Sequence, residues 1–532
     1  MIDVQLHILI ASWIFGGLIV YTANKYARRG FFTIALCLVL SLTIIGLGVG
    51  FRSGLKGLLL MVLPLQFTNV ICYAYRDGIT KGQKFRKEYK VIMKTRGSNL
   101  VLENIRRGIS VIAAAGSGKT ESVIYSLMAH FKKHKFCGVI HDYKNFEITE
   151  MAYPLFRNSG HKFYIVSFDP IYCRVNPIAP RYLPDEESVY EVSRVLLENL
   201  LETKEGDDNS TSRFFKDAVE GLISGLIWRL KTDYPDYCTI PHLIALYQQV
   251  NTKSLVKFLK GNMTSRAMAD AFISGVGSER QTAGVKSTLA NAFKKISTKK
   301  IFMALSADEI PLNVNSSENP AVISIVNNPK KDASLSPVIA TIVHTITKQM
   351  SERNQLPSFV LLEEAPTIRL PNMHRVPATL RSYDIATVYV MQDKVQNDML
   401  YGEKASKAIL SNLSYQFFGK VNDPDTAKYY ERFFEIIKNP TRSISKGTGL
   451  SWEARITKGE REVPKRRAET FFRLKQGEFV VFADGKDRKV LFKHPEIQRE
   501  LPTPLKVAPL EMESNFIKIH KEISSLFNTS GT

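Results

Sequence analysis

This sequence predicts an α/β fold built on a parallel sheet, with helices on both faces and a helical membrane anchor ahead of it. Three observations lead there. Short apolar runs rich in β-branched and aromatic residues alternate with helical stretches. A loop of small residues at 110–122 joins one such strand directly to a helix. Three longer apolar runs open the chain.

The bulk numbers set the frame. A chain of 532 residues is too long for one ordinary core and predicts two or more domains. Hydrophobic residues make up 44% and mean hydropathy is −0.10, which suits a folded protein with some membrane content. Lys plus Arg number 72 against 51 Asp plus Glu, a formal charge of +21. Such an excess favours a polyanionic partner, either nucleic acid or an anionic membrane surface. The five cysteines, Cys37, Cys72, Cys137, Cys173 and Cys238, never form a CxxC pair. That argues against a disulfide framework or a zinc site and suits a reducing cytosol.

The apolar runs at 6–23, 31–51 and 57–75 each approach the roughly 20 residues of a membrane-spanning helix. Pro64, Gln66 and Asn69 interrupt the third, where polar groups would face neighbouring helices. A signal peptide is a poor reading of the first run, since no basic segment precedes it. Lys25, Arg28 and Arg29 sit in the first linker, and only Arg52 and Lys56 in the second. Arg76, Lys81, Lys84, Arg86, Lys87 and Lys90 follow the third. The positive-inside rule then places the N-terminus outside and everything after Tyr75 in the cytoplasm. The basic run 76–96 reads better as contact with anionic headgroups than with nucleic acid.

Residues 110–122 read SVIAAAGSGKTES and continue into a helical pattern with Val123, Leu127 and Phe131 on one face. Strand, loop and helix in that order form the context of a Walker A motif. Ala114, Ala115, Gly116, Ser117 and Gly118 are small enough for backbone N–H groups to close around phosphates. The helix N-terminus adds positive potential there. Lys119 would neutralise the β- and γ-phosphates, Thr120 would offer its hydroxyl to Mg²⁺, and Glu121 completes the nucleotide-binding set. The first glycine of the usual GxxxxGK[ST] pattern is Ala113, a tolerable change if that position avoids positive φ. ATP and Mg²⁺ are the expected cofactors.

Apolar strands at 136–143, 162–170, 321–328, 358–364 and 387–393 alternate with helices, which implies a parallel sheet covered on both faces. Ligands of such sheets sit at the carboxyl ends of strands. In FVLLEEAPTI, 359–368, Glu363 and Glu364 end one strand. Neighbours on a strand point to opposite sides, so the two acids are expected to differ in role. Glu363 would hold a water of the Mg²⁺ shell and Glu364 would orient or deprotonate the attacking water. Alone, the pair reads equally well as a solvated strand end before Pro366. Gln392, closing VYVMQ, would sense the γ-phosphate or that water. Arg381, shortly before it, would either reach a neighbouring subunit's nucleotide or be a plain surface arginine.

Taken in order, AAAGSGKTE, VIHDYKNFE, FDP with VNPI, ISIVNNP, LLEEAPTI, RSYDIATVYVMQDKVQ and VNDPDTAKYYERFF resemble the conjugative coupling-protein family. These are the TraG/TraD-type ATPases of type IV secretion, and the resemblance spans roughly residues 100–485. It implies a RecA-like P-loop NTPase domain with an inserted all-α domain and an N-terminal transmembrane helical anchor. It further implies a homo-hexamer on the bacterial inner (cytoplasmic) membrane that pumps relaxase-bound single-stranded DNA toward a secretion channel. The relaxase and channel components would be partners. On this reading 1–78 is the anchor, 79–184 and 310–500 form the nucleotide-binding domain, 185–309 is the insertion and 501–532 is a tail. Lys119, Thr120, Glu363, Glu364, Arg381 and Gln392 take the family's phosphate, metal, catalytic, finger and sensor positions.

The chain departs from that pattern in places. Glu363 replaces the usual Walker B Asp, extending the carboxylate by about 1.5 Å. A Glu363→Asp variant is expected to remain active if the metal contact runs through water. No periplasmic domain is visible between the apolar runs, and the last residues are not an acidic tail.

Residues 438–475 are dense in Lys and Arg, and within them 443–467 is Gly- and Ser-containing and poorly periodic, which reads as a mobile basic loop. It would either contact nucleic acid, with Trp452 stacking on an unpaired base, or be a solvated linker. An FtsK-like pump of double-stranded DNA shares the same motor and is the nearest rival. An ABC-type transporter and a non-hydrolysing scaffold are more distant ones.

Overall fold

The computed structural model describes residues 87–201, 210–446 and 454–528. The three apolar runs, and with them the anchor and its orientation, lie outside the described residues, as does Trp452. Among the described residues no helix is long and apolar enough to cross a membrane.

The strands in chain order are β1 Val91–Met93, β2 Leu100–Leu102, β3 Ile109–Ile112, β4 Cys137–Asp142, β5 Lys162–Val166, β6 Ala321–Val326, β7 Ser358–Leu362, β8 Ile385–Met391 and β9 Tyr415–Phe418. Four more follow: β10 Ile436–Lys446, β11 Ala454–Pro464, β12 Glu478–Ala483 and β13 Lys486–Leu491. Nine of these form one sheet in the order β13-β12-β9-β3-β8-β7-β4-β6-β5. From β9 to β5 every neighbouring pair is parallel. The antiparallel hairpin β12–β13 extends the sheet beyond β9. Alternate residues feed two separate cores, as a sheet covered on both faces requires. On β7, Val360 and Leu362 enter one core, whereas Phe359 and Leu361 enter the other.

Between β5 and β6 the described residues form eight α-helices, from Glu186–Leu200 to Lys299–Ala304. Their starts are written in the sequence. Asp185, Thr239, Asn251, Asn262, Ser278 and Thr298 each cap a helix by accepting from the backbone N–H three residues on. The helical body packs on the sheet through Glu186–Leu200 and Asp332–Met350, and its apolar residues share one core with that face of the sheet.

Two stretches differ from their sequence reading. The basic stretch predicted as a mobile loop falls largely within the hairpin β10–β11, paired over eleven residues on each side. Its two strands hold few apolar residues, so no alternation of apolar and polar positions marked the hairpin in the sequence. Part of the stretch set apart as a tail is the helix Pro509–Asn528, lying on the helical body with Ile519 and Ile523 buried. His242 Nε2 meets Glu522 Oε2 at 3.1 Å, and Phe302 packs on Phe516 with ring centroids 4.7 Å apart. The connection to it crosses the sheet edge as a strap. Glu500 N donates to Glu150 O at 2.9 Å, Leu505 N donates to Ile171 O at 2.9 Å, and Arg157 Nη1 donates to both carboxylate oxygens of Glu500 at 2.6 Å.

Candidate active site

Four adjacent strands, β3, β8, β7 and β4, end side by side, and each hands one loop to the same edge. After β3 comes the small-residue loop. Gly116 and Gly118 adopt φ of +72° and +83°, which only glycine takes without strain. Ala113 is not among the positive-φ residues, so the alanine at the first motif position keeps an ordinary backbone. Three neighbours brace the loop. Ala113 N donates to Met391 O at 3.2 Å, Ala114 N to Lys420 O at 2.7 Å, and Gly477 N to Ser117 O at 2.9 Å. Thr120 begins the following helix, which runs on through Tyr125–Lys133.

The extra methyl of Ala113 has a matching gap. A Cβ added at Gly419 would lie 2.4 Å from the Ala113 Cβ and 2.9 Å from the Phe479 ring. Gly419→Ala is therefore expected to destabilise the protein by about 1–3 kcal/mol through overpacking. Pairing it with Ala113→Gly should recover part of that loss, a coupling that a double-mutant cycle on urea melts would measure.

Lys119 is 4% exposed, and its Nζ donates to Ala113 O at 2.9 Å and to Glu364 Oε1 at 3.3 Å. Burial lowers its pKa, and the Glu364 carboxylate offsets part of that effect. Gln392 Nε2, past the end of β8, donates to the same Glu364 oxygen at 3.0 Å. Glu364 is itself buried, in a left-handed conformation with φ +44°. That backbone overturns the expected alternation. The strand ends at Leu362, and both carboxylates turn to one partner, Lys144 Nζ, at 3.0 Å from Glu363 and 3.2 Å from Glu364.

Lys144, past the end of β4, is the residue that sequence reasoning missed. A lysine in a loop carries no pattern, though it lies within the quoted VIHDYKNFE stretch. Burial works against its charge, but Glu363 and Glu364 outweigh it and hold the ammonium above its ordinary value. Glu363 is fully buried, and its Oε2 also accepts from Tyr143 N at 3.2 Å. Burial, with Asp142 nearby, raises its pKa to about 7 against the pull of Lys144. Asp142 is raised to about 6 by burial, even though Thr149 N, Thr149 Oγ1 and Ile148 N all donate to its Oδ2. His141 is lowered to about 4 by the same burial.

This geometry gives the extra methylene of Glu363 a use. The long side chain reaches from β7 to Tyr143 N and Lys144 Nζ past the end of β4. Glu363→Asp draws the carboxylate back by about 1.5 Å and gives up both contacts. The expected outcome is now reduced turnover and a stability loss of about 1–3 kcal/mol, read by thermal melting beside an ATPase assay.

Two predicted site residues stand apart. Arg381 is exposed at the end of the helix Val376–Arg381, just before β8 begins. Gln392 lies past the other end of that strand, about 23 Å away along its seven residues. Arg381 therefore does not meet the site of its own chain. Glu121 faces the strap, with His494 Nδ1 at 3.8 Å and Arg499 Nη2 at 3.6 Å.

The residues present suit a magnesium-bound nucleoside triphosphate. A Cβ at Gly116 would meet nothing within 4 Å, so the loop has room on that side, and Ser117 Oγ is buried without a hydrogen-bond partner. Among the described residues no group of three His, Cys, Asp or Glu side chains forms a metal cage. Mg²⁺ is ordinarily held by one or two carboxylates or hydroxyls together with phosphates and water. Thr120 follows the loop after β3, and Glu363 follows β7 at the same edge.

A family model described as type IV secretory system conjugative DNA transfer matches residues 68–459. Among solved structures the chain is similar to the bacterial conjugative coupling protein TrwBdeltaN70 in its unbound form. Identity is 14%, coverage is 80% of this chain and 93% of that one, and the TM-score is 0.62. Plasmid coupling protein TrwB in complex with ADP and Mg²⁺ matches at 14% identity over 80% of this chain and 94% of that one, with TM-score 0.60. The same protein with the non-hydrolysable GTP analogue GDPNP gives the same identity, coverage and TM-score. At this identity the likeness speaks for the fold. No curated protein matches the chain.

Proposed function

The chain belongs to the type IV secretory system conjugative DNA transfer family, and from that premise we propose a membrane-anchored, ATP-driven DNA translocase. It couples a relaxase-bound single strand to a type IV secretion channel. One observation carries the catalytic part: Lys119, Gln392 and Lys144 all converge on Glu364 Oε1 at the carboxyl edge of the sheet.

That convergence orients the Glu364 carboxylate so that its other oxygen, Oε2, takes the proton of the attacking water. Lys119 holds phosphate charge, and Gln392 positions the water against Glu364. Thr120 and Glu363 would hold Mg²⁺, which neutralises phosphate charge when bound. Lys144 keeps the two carboxylates from repelling each other. Arg381, on the opposite edge, serves the nucleotide of an adjacent copy, and a closed homo-hexameric ring is the assembly that allows this.

The test is ATP turnover of the full chain in lipid nanodiscs, with single-stranded and duplex DNA across a salt series. Single strands should stimulate turnover most, with stimulation falling steeply as salt rises. Stimulation by duplex alone favours the double-strand pump. ATP binding with no DNA-stimulated turnover makes the chain a scaffold.

A further inference from the structure

A cleft of ≈ 490 Å³ lies beyond the carboxyl ends of β5 and β6, two strands past the catalytic carboxylates. Its size suits a ligand of one or two nucleotides. Lys299, Lys300, Lys330 and Lys331 line it, against a single acid, Asp169. Lys299 is already paired with Glu513. Asp169 is shared by Lys300 and Lys331, the latter at 3.0 Å, and all three side chains are more than two-fifths exposed. Lys330 has no ion pair among the described residues and also lines a smaller hollow with Lys144, Asn145 and Asn328. A row of ammonium groups thus runs along the sheet edge from the catalytic carboxylates to the helical body.

We propose that this cleft binds the phosphate backbone of single-stranded nucleic acid. Two features favour a strand. The lysines form an extended row and do not enclose a compact pocket. Two of the four lysines, Lys300 and Lys331, are placed to exchange one shared carboxylate for phosphates. The apolar floor, Phe168, Ile301 and Leu335, is buried, so it offers no exposed ring for a base to stack on. Binding is therefore independent of sequence, through charge alone. A route to the catalytic edge exists: Asn145 N donates to Asn327 O at 3.1 Å and Asn328 Nδ2 to Asn145 Oδ1 at 3.4 Å, while Lys144 is the next residue along the chain. A strand settling beside Lys330 thereby presses on the loop that holds Glu363 and Glu364.

The inference rests on the translocase reading, and one experiment separates their failures. Anisotropy of a labelled single-stranded oligonucleotide is followed against salt for the full chain in nanodiscs. In the triple variant K300Q/K330Q/K331Q the dissociation constant should rise at least about tenfold, and the salt slope should shrink by about 2, at about 0.7 for each lost contact. The arginine counterpart K300R/K330R/K331R should bind like the parent. Asp169→Asn should bind about two- to fivefold tighter, because it frees two lysines from their competitor. No general loss of folding produces that sign. Unchanged affinity and slope in the glutamine variant, or weaker binding by Asp169→Asn, overturns the cleft and leaves the motor standing. A parent chain that binds no oligonucleotide overturns both.

Discussion

Glu364→Gln is expected to bind ATP as tightly as the parent chain while turnover falls by about 10²- to 10⁴-fold, the usual share of a positioned acid–base group. The amide is nearly isosteric, and its oxygen can still accept from Lys119 and Gln392, which now meet at Glu364 Oε1. The side chain keeps its length at the same buried position with φ +44°. What disappears is the ability to take a proton. Equilibrium binding of a fluorescent ATP analogue, set beside steady-state turnover, gives the answer. Turnover within a few-fold of the parent would show that the proton leaves by another route.

Lys119→Ala acts earlier. It should weaken nucleotide binding and lower turnover by at least about 10²- to 10³-fold, the loss seen when one charge-stabilising donor is removed. The carbonyl of Ala113 loses its Lys119 partner, and Glu364 Oε1 keeps only Gln392 and Lys144. Arginine is not expected to rescue it, since the side chain is 4% exposed and a forked guanidinium needs more room. The readouts are the thermal shift on adding ATP and Mg²⁺, which should vanish, and turnover. A normal shift would remove Lys119 from the site.

Much of the sheet was legible because parallel strands buried on both faces must be apolar throughout. The runs at 136–143, 321–328 and 358–364 contain β4, β6 and β7. Strand order was not legible. Nothing local says that β3 inserts between β8 and β9, since that depends on crossovers spanning hundreds of residues. The phosphate loop could be read because its chemistry is contiguous. The set around Glu364 could only be half read: Gln392 and both acids follow strands, whereas Lys144 shows its role only once β4 lies beside β7. The shared facing of Glu363 and Glu364 was hidden for a different reason. A left-handed backbone at a glutamate is uncommon and leaves no trace in composition. The last helix, by contrast, was available, with Phe516, Ile519, Ile523 and Leu526 at helical spacing.

The strap beyond β13 gives the molecule a mechanical property. An insertion joined to its host at two points can swing like a flap about them. Here the polypeptide returns a third time, as the helix Pro509–Asn528. Residues 494–508 are tied to Glu150, Arg157 and Ile171 on the way, and to Glu121 in the first turn behind the phosphate loop. The tether is thus pinned at several points along its length. A pull on the helical body would run along it to Glu121, next to Thr120, the first residue of the helix behind the small-residue loop. A load applied at one end of the molecule would thereby reach the first turn behind the small-residue loop, as along a lever arm.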